Sequence, residues 1–168
     1  MQQLTIYKII SFILVPVALF LGTADIMMLL VSLANPTLLL IVFAIACFVI
    51  YIIASMRFLL RGIINQHVCS AGLKDWIKVN AYGTLFVFSM FLLNSTAAFF
   101  ISDVNLRQVL GEMMEQQTEL AGKISLDYFV QIFRILSSVL FVISLLAIIH
   151  VRMTFRLIRQ NPQLFNQS

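Results

Sequence analysis

The chain has 168 residues, of which 61% are hydrophobic and only 11% are charged. This excludes an ordinary water-soluble domain, in which roughly 45–50% of residues are apolar and about 25% are charged. The formal net charge of +4 does not indicate nucleic-acid binding, because the basic residues lie at the ends of apolar runs and no Lys/Arg stretch carries interleaved aromatic residues.

Four apolar runs predict four transmembrane helices, since about 20 apolar residues are needed to cross a bilayer. The expected spans are about 7–33, 37–60, 77–101 and 128–150. The first run is much longer than the ~7–15-residue apolar core of a cleavable signal peptide and contains Asp25. Asn35 and Pro36 predict a tight turn, which makes the first two spans antiparallel neighbours. We therefore expect an all-α protein, a four-transmembrane-helix bundle that forms one integral membrane domain over residues 1–168.

The polar loop 61–76 and the tail 151–168 predict the orientation, because basic residues at span ends stay on the cytoplasmic side during insertion. The basic residues expected on the cytoplasmic side are Lys8, Arg57, Arg61, Lys74, Lys78, Arg152, Arg156 and Arg159. The other side holds Arg107 and Lys123, with Arg134 near that surface. We expect both termini in the cytoplasm and the protein in a bacterial inner (plasma) membrane.

The segment 102–126, between the third and fourth spans, has apolar residues at every third or fourth position, which predicts an amphipathic helix. The apolar stripe consists of Leu106, Val109, Leu110, Met113, Leu120 and Ile124. Ser102 or Asp103 is the expected N-cap, and Gly122 is the expected end. We expect this additional helix to be extracytoplasmic and its residues 104–121 to form a recognition surface. Its acidic residues, Glu112, Glu115 and Glu119, indicate a solvated face rather than a pair of catalytic carboxylates.

Arg134 lies inside the fourth span, where a charged residue is a functional hypothesis by default. The 17 residues from 135 to 151 are just enough to cross the hydrocarbon, which favours a boundary position with the side chain reaching the headgroups. The alternative is a buried polar cluster at the outer end of the bundle, which holds helices together or binds a small ligand. The candidate cluster consists of Arg134, Asn94, Gln131, Ser138 and Asp25, with Asp25 as the charge partner.

The cytoplasmic ends of the spans predict contact with anionic lipid headgroups. The candidate residues are Arg152, Arg156, Arg159, Lys74, Trp76 and Lys78. Trp76 between two lysines is typical of an interfacial anchor.

No motif predicts catalysis or a bound cofactor. His67 and Cys69 are at most half of a metal site, since zinc takes three or four protein ligands. The other histidine and cysteine are His150 and Cys47, and a Cys47–Cys69 disulfide is not expected because the two lie at different depths. We expect neither an enzyme nor a metal site.

These observations favour a non-catalytic integral membrane protein that acts by association, as an accessory or regulatory subunit or as a homo-oligomer. The alternative is a small oligomeric channel or carrier for a small solute, which predicts a continuous polar path along Asn80, Thr84, Asn94 and Ser138. The expected partners are the lipid bilayer with its anionic headgroups, and a membrane-protein partner or a second copy of the chain. No nucleic acid is expected.

Overall fold

A computed structural model describes residues 2–116 and 125–165, and all regular structure within them is helical. The α-helices are α1 (Gln2–Ser32), α2 (Leu39–Arg57), α3 (Ala71–Phe100), α4 (Asp103–Gln116) and α5 (Leu126–Gln160). Four helices are long and apolar enough to cross a membrane: α1, α3, α5, and α2 with the helical turns on either side of it. The prediction of an all-α chain with four such helices is therefore confirmed. The predicted end of the outer segment at Gly122, and its residues Glu119, Leu120, Lys123 and Ile124, lie outside the described residues.

The connection between α1 and α2 is short because Asn35 caps the next turn. The side-chain Oδ1 of Asn35 accepts hydrogen bonds from the backbone N–H of Thr37 at 3.2 Å and from its hydroxyl at 2.5 Å. Pro36 begins the 3₁₀ turn Pro36–Leu38, where its fixed φ fits the first helical position. α1 and α2 follow each other directly across this turn.

α2 continues into a π-helical segment, Phe58–Ile64, so the loop before α3 is only 65–70 rather than 61–76. Ser70 sets the start of α3, because its hydroxyl oxygen accepts the backbone N–H of Leu73 at 3.3 Å. Gln66 turns the chain between the two helices with a φ of 54°. Arg57 and Arg61 before the loop, and Lys74 and Lys78 after it, therefore lie on helices and not in a long loop.

The chain end after α5 is packed against this loop. The backbone N–H of Cys69 donates to the carbonyl of Leu164 at 2.7 Å. Leu164 is the last residue of the 3₁₀ turn Pro162–Leu164. The ring of Phe165 stacks on Phe58 with centroids 5.3 Å apart, and Nζ of Lys74 lies 5.7 Å from the same Phe165 centroid. Leu164 and Phe165 are buried, so the tail is anchored up to residue 165.

The chain forms two compact units, Met1–Phe88 with Leu146–Ser168 and Ser89–Leu145. The core of the first unit is aromatic and aliphatic, with Tyr7, Leu14, Phe48, Tyr51, Phe58 and Leu59 almost fully buried. The second unit has a small core of Leu106, Leu110 and Val130. Many large apolar side chains on the long helices are exposed, for example Phe20, Leu40 and Phe86 at 70% or more. Lipid is the solvent that such a surface fits.

Candidate functional site: a buried polar cluster on α1, α2 and α5

Five polar side chains from three helices of the first unit meet around His150. They are Tyr7 and Ser11 on α1, Tyr51 on α2, and His150 and Thr154 on α5, and none is more than 3% exposed. We call this group the His150 cluster. Because polar groups inside a membrane protein turn toward other helices and bond there, such a cluster is the first place to look for function.

Both ring nitrogens of His150 are hydrogen-bonded. Nε2 lies 2.8 Å from the hydroxyl of Ser11, and Nδ1 lies 2.7 Å from the hydroxyl of Tyr51. The Tyr51 hydroxyl is also 2.8 Å from Oγ1 of Thr154, which in turn is 3.1 Å from the hydroxyl of Tyr7. The Tyr7 ring stacks on the imidazole with centroids 4.7 Å apart, and the Tyr51 ring meets it edge-on at 5.6 Å. The imidazole is therefore held by hydrogen bonds at both nitrogens and by ring packing.

The cluster arises from a repeated spacing that the sequence analysis did not use. Each of the three helices carries an aromatic or imidazole ring followed four residues later by a hydroxyl, which places both groups on one helical face. The pairs are Tyr7 and Ser11, Tyr51 and Ser55, and His150 and Thr154. Ser55 is buried as well, and its hydroxyl donates to the carbonyl of Ile52 at 3.0 Å. This cluster was not predicted, because His150 was considered only as the end of a span and as a possible metal ligand.

Both ring nitrogens of His150 can form their hydrogen bonds in either neutral tautomer. If Nε2 carries the proton, it donates to Ser11, whose hydroxyl donates to the Tyr7 carbonyl 2.8 Å away, and Tyr51 donates to Nδ1. If Nδ1 carries the proton, it donates to Tyr51, Tyr51 donates to Thr154, and Thr154 donates to the His150 carbonyl 2.9 Å away. Ser11 then donates to Nε2. The heavy atoms need not move between the two arrangements.

The Ser11–His150 pair has the distance of a nucleophile and its base, but its surroundings do not fit that chemistry. A Ser–His nucleophile relies on a carboxylate that fixes the tautomer and stabilises the imidazolium. Here Nδ1 meets a neutral phenol, and no carboxylate bonds the ring within the part of the chain described. Ser11 is 3% exposed and His150 is fully buried, so a substrate has no access to either. The hydrogen bonds of the cluster join α1, α2 and α5, and an interhelical bond of this kind contributes about 0.6 kcal/mol.

The structure pairs Arg134 with Asp103 at the start of α4, a residue that the sequence analysis had not singled out as its partner. A second ion pair joins Arg107 of α4 to Asp127 of α5 at 2.5 Å. Both pairs are substantially exposed, with side-chain exposures of 42% for Arg134 and 48% for Arg107. Exposed pairs contribute little to stability, about 0–1 kcal/mol each, so their main effect is to set the direction of α4 along α5.

The other residues of the predicted Arg134 cluster lie in varied surroundings. Asn94 and Gln131 are exposed, and the hydroxyl of Ser138 donates to the Arg134 carbonyl at 2.8 Å. Asp25 is buried, and its Oδ1 has no hydrogen-bond partner among residues 2–116 and 125–165. The cluster as a whole stays a prediction.

Three of the four side chains of the predicted polar path bond to their own helix. Asn80 Nδ2 donates to the carbonyl of Trp76 at 2.8 Å, and the Thr84 hydroxyl donates to the carbonyl of Asn80 at 2.8 Å. Ser138 bonds in the same way to Arg134. These bonds satisfy the side-chain donors locally, so they do not favour the channel or carrier hypothesis over association.

The predicted headgroup residues lie at the surface or partly so. Arg152, Arg156, Arg159 and Trp76 are exposed, and Lys74 and Lys78 are partly buried. Their contact with lipid stays a prediction.

His67 and Cys69 do not lie in a group of three or more His, Cys, Asp or Glu side chains anywhere in the described ranges. Cys47 and Cys69 are both free and both buried. Burial raises the pKa of the Cys69 thiol above its usual value, and the positive charges of Arg61 and Arg57 lower that pKa by a smaller amount. Cys69 is therefore a weakly nucleophilic thiol despite its basic surroundings.

Comparison with known proteins found no matching family model, no similar curated protein and no similar solved structure.

Proposed function

We propose that the chain is a non-catalytic integral membrane protein that acts by association with another membrane-embedded chain. It is an accessory or regulatory subunit, or one copy in a homo-oligomer. In this proposal the four long helices form a bundle in a bacterial inner (plasma) membrane. Both termini are cytoplasmic, and α4 is an amphipathic helix on the opposite side.

The observation that carries the proposal is the partly covered apolar stripe of α4. Leu106 and Leu110 are 2% exposed and pack on Val130 of α5. Val109 and Met113 lie beside them on the helix surface, since successive residues are about 100° apart at 3.6 residues per turn. These two side chains are 48% and 50% exposed. An apolar edge next to a packed one is a surface that a second helix would bury.

The burial and internal hydrogen bonding of the His150 cluster support a non-catalytic role. Its polar atoms are bonded to one another and to helix carbonyls, and its members are inaccessible from outside the first unit. The best-organised polar site in the described residues thus serves cohesion, which leaves recognition to the exposed surfaces.

Cysteine cross-linking in native membranes tests the proposal. The starting protein has Cys47→Ala and Cys69→Ala, and one cysteine is then placed at Met113, which is half exposed, or at Leu110, which is buried as a matched control. With a short bis-maleimide, Met113→Cys is expected to form a cross-linked species that Val109→Asp reduces, whereas Leu110→Cys forms none. The intact mass of that species distinguishes a second copy from a different membrane protein.

The result that overturns the proposal is equally definite. If Met113→Cys reacts rapidly with a water-soluble maleimide and yields only the monomer mass across the range of membrane protein concentrations, the α4 edge is a solvated surface and not a recognition surface.

A further inference from the structure

A groove of about 430 Å³ runs between α1 and α2 in the first unit. Its walls are almost wholly apolar. The side chains that form them include Val15, Ala18 and Leu19 of α1 and Val49, Ile53 and Met56 of α2. At one end the groove is bordered instead by Arg57, Arg61 and Asn65. The groove therefore has an apolar body and a cationic end.

The length of the whole groove, cationic end included, is close to the thickness of one leaflet of a membrane. On the α2 side the groove extends from Val49 to Arg61, a rise of roughly 18 Å at about 1.5 Å per residue. The hydrocarbon core of a bilayer is about 30 Å thick, so one leaflet is about 15 Å. A groove of this depth on a helix that is apolar enough to cross the membrane lies alongside lipid acyl chains.

The two arginines at the cationic end are available to bind an anion. Arg57 and Arg61 are exposed, and no ion pair in residues 2–116 and 125–165 involves either of them. Arg57 ends α2, and Arg61 lies within the π-helical segment Phe58–Ile64. π-helical turns are rare and occur frequently at functional sites. Here Arg61 follows Arg57 by nearly one turn, and both residues line the same groove. Two guanidinium groups and an amide are suited to binding a phosphate group.

We propose that this groove binds one anionic phospholipid, with an acyl chain against the apolar walls and the phosphate on Arg57 and Arg61. A peptide is a poorer occupant, because its backbone polar groups would lose their hydrogen bonds to water at that depth. The bilayer itself supplies the ligand. This inference is independent of the α4 surface and requires only that α1 and α2 cross the membrane.

Native mass spectrometry of the full chain in a mild non-ionic detergent tests the headgroup part. The probes are dioleoyl phosphatidylglycerol and dioleoyl phosphatidylcholine, and we expect one phosphatidylglycerol to bind well before any phosphatidylcholine. A basic residue near a lipid surface contributes roughly a fivefold gain in affinity, so Arg57→Gln with Arg61→Gln should weaken that first binding about 25-fold. The control is Lys8→Gln with Arg107→Gln, which removes the same charge at positions that neither line the groove nor belong to the predicted headgroup contacts, and it should change that binding by less than about twofold.

The acyl part is tested by filling the groove. Ala18→Leu adds bulk to its wall and should weaken phosphatidylglycerol binding, whereas Ala97→Leu, at an exposed position on α3, should not. On the unaltered protein, dihexanoyl phosphatidylglycerol should bind more weakly than the dioleoyl lipid, which tests the same point without a variant. Equal binding of both headgroups, equal binding of both chain lengths, or displacement of the lipid by millimolar inorganic phosphate would each overturn the proposal.

Discussion

Tyr51 is the residue through which α2 joins the His150 cluster. Its hydroxyl lies 2.7 Å from Nδ1 of His150 and 2.8 Å from Oγ1 of Thr154, while the Tyr7 hydroxyl lies 3.1 Å from Oγ1 of Thr154. Both tyrosine rings also pack on the imidazole. The two residues thus make similar ring contacts, but the Tyr51 hydroxyl also bonds the imidazole, which separates the contribution of that bond from that of the ring.

Tyr51→Phe should therefore destabilise the fold more than Tyr7→Phe, because it leaves Nδ1 of the buried imidazole without its partner. At about 0.6 kcal/mol for each interhelical bond, the two bonds of the Tyr51 hydroxyl predict a loss of roughly 1.2 kcal/mol in the free energy of unfolding. Equilibrium unfolding in mixed detergent and SDS micelles measures both. Tyr82→Phe, at an exposed position on α3, is the control and should fall within about 0.5 kcal/mol of the unaltered protein. Equal losses for Tyr7 and Tyr51 would mean that the bond from Tyr51 to the imidazole adds nothing.

The spacing of rings and hydroxyls in the sequence identifies the residues of this cluster. It does not predict that the three pairs contact one another. Each ring and hydroxyl pair is local, at four residues, and is visible in the sequence. The contacts between helices join residues 139 and 99 positions apart, as in Ser11 with His150 and Tyr51 with His150. Periodicity gives the buried face of each helix and not which faces meet. Arg134 illustrates the same limit, because its partner Asp103 belongs to a segment that sequence reasoning treated separately.

At the scale of the elements, Gly83 sets the approach of α2 and α3. A Cβ atom at Gly83 would lie 2.9 Å from Sγ and 3.0 Å from Cβ of Cys47, closer than such atoms approach in folded proteins. The sequence analysis did not depend on this glycine, but small residues are the ones that permit close helix contact in membranes. The two helices can meet here only because the side chain is absent.

Gly83→Ala should destabilise the protein by about 1–3 kcal/mol, the usual cost of overpacking. Cys47→Ala in the same chain should recover part of the loss, since it removes the Sγ contact and leaves the Cβ contact. Gly72→Ala is the matched control, because a Cβ there meets nothing within 4 Å, and it should stabilise slightly or have no effect. The three variants are compared by unfolding in SDS. A loss for Gly83→Ala no greater than that for Gly72→Ala would contradict the close approach.

The predicted elements agree with the structure where periodicity or length decides them and differ where capping decides them. The four long helices predicted from apolar length are present, and α5 continues past residue 150 to Gln160, just before Asn161 and Pro162. The helix α3 starts at Ala71, inside the segment 61–76 that is predicted as a loop between spans, because Ser70 caps it, and that prediction did not consider Ser70 as a cap. The π-helical turn after α2 has no established sequence signal and was not predicted.

The chain end after α5 is hydrogen-bonded to Cys69, whose backbone N–H donates to the carbonyl of Leu164 at 2.7 Å. The thiol is buried and its pKa is raised, mainly by that burial, while Arg61 and Arg57 act in the opposite direction. A raised pKa leaves less thiolate at neutral pH, so alkylation by iodoacetamide should be slow at pH 7.5 and should still be increasing above pH 9.

Removing residues 162–168 should expose the thiol, lower its pKa because the arginines remain, and speed alkylation at pH 7.5 several-fold. Peptide mass spectrometry over a pH series measures both rates. Cys47 in α2 serves as the internal control and should keep its slow rate. Unchanged alkylation of Cys69 after the truncation would show that the tail does not cover it.

At the scale of the whole molecule, the apolar surface and the basic residues together predict a topology. Four helices are long and apolar enough to cross a membrane. An even number of crossings returns the chain to the side on which it started. The basic residues Lys8, Arg57, Arg61, Lys74, Lys78, Arg152, Arg156 and Arg159 would then share one side, and retention of basic residues in the cytoplasm gives that side its identity.

This topology predicts that reporters at both ends of the chain and in the loop 65–70 lie on the same, cytoplasmic side, while a reporter in α4 lies on the other. In a bacterial host, fusions to green fluorescent protein should fluoresce at the first three positions, and alkaline phosphatase should be active only after α4. Fusions after residue 116 and after residue 165 form the decisive pair, because α5 alone separates them. Alkaline phosphatase that is active at both would place α5 outside the bilayer. The even count of crossings would then be wrong, and so would the assignment of the arginines after His150 to the cytoplasmic side.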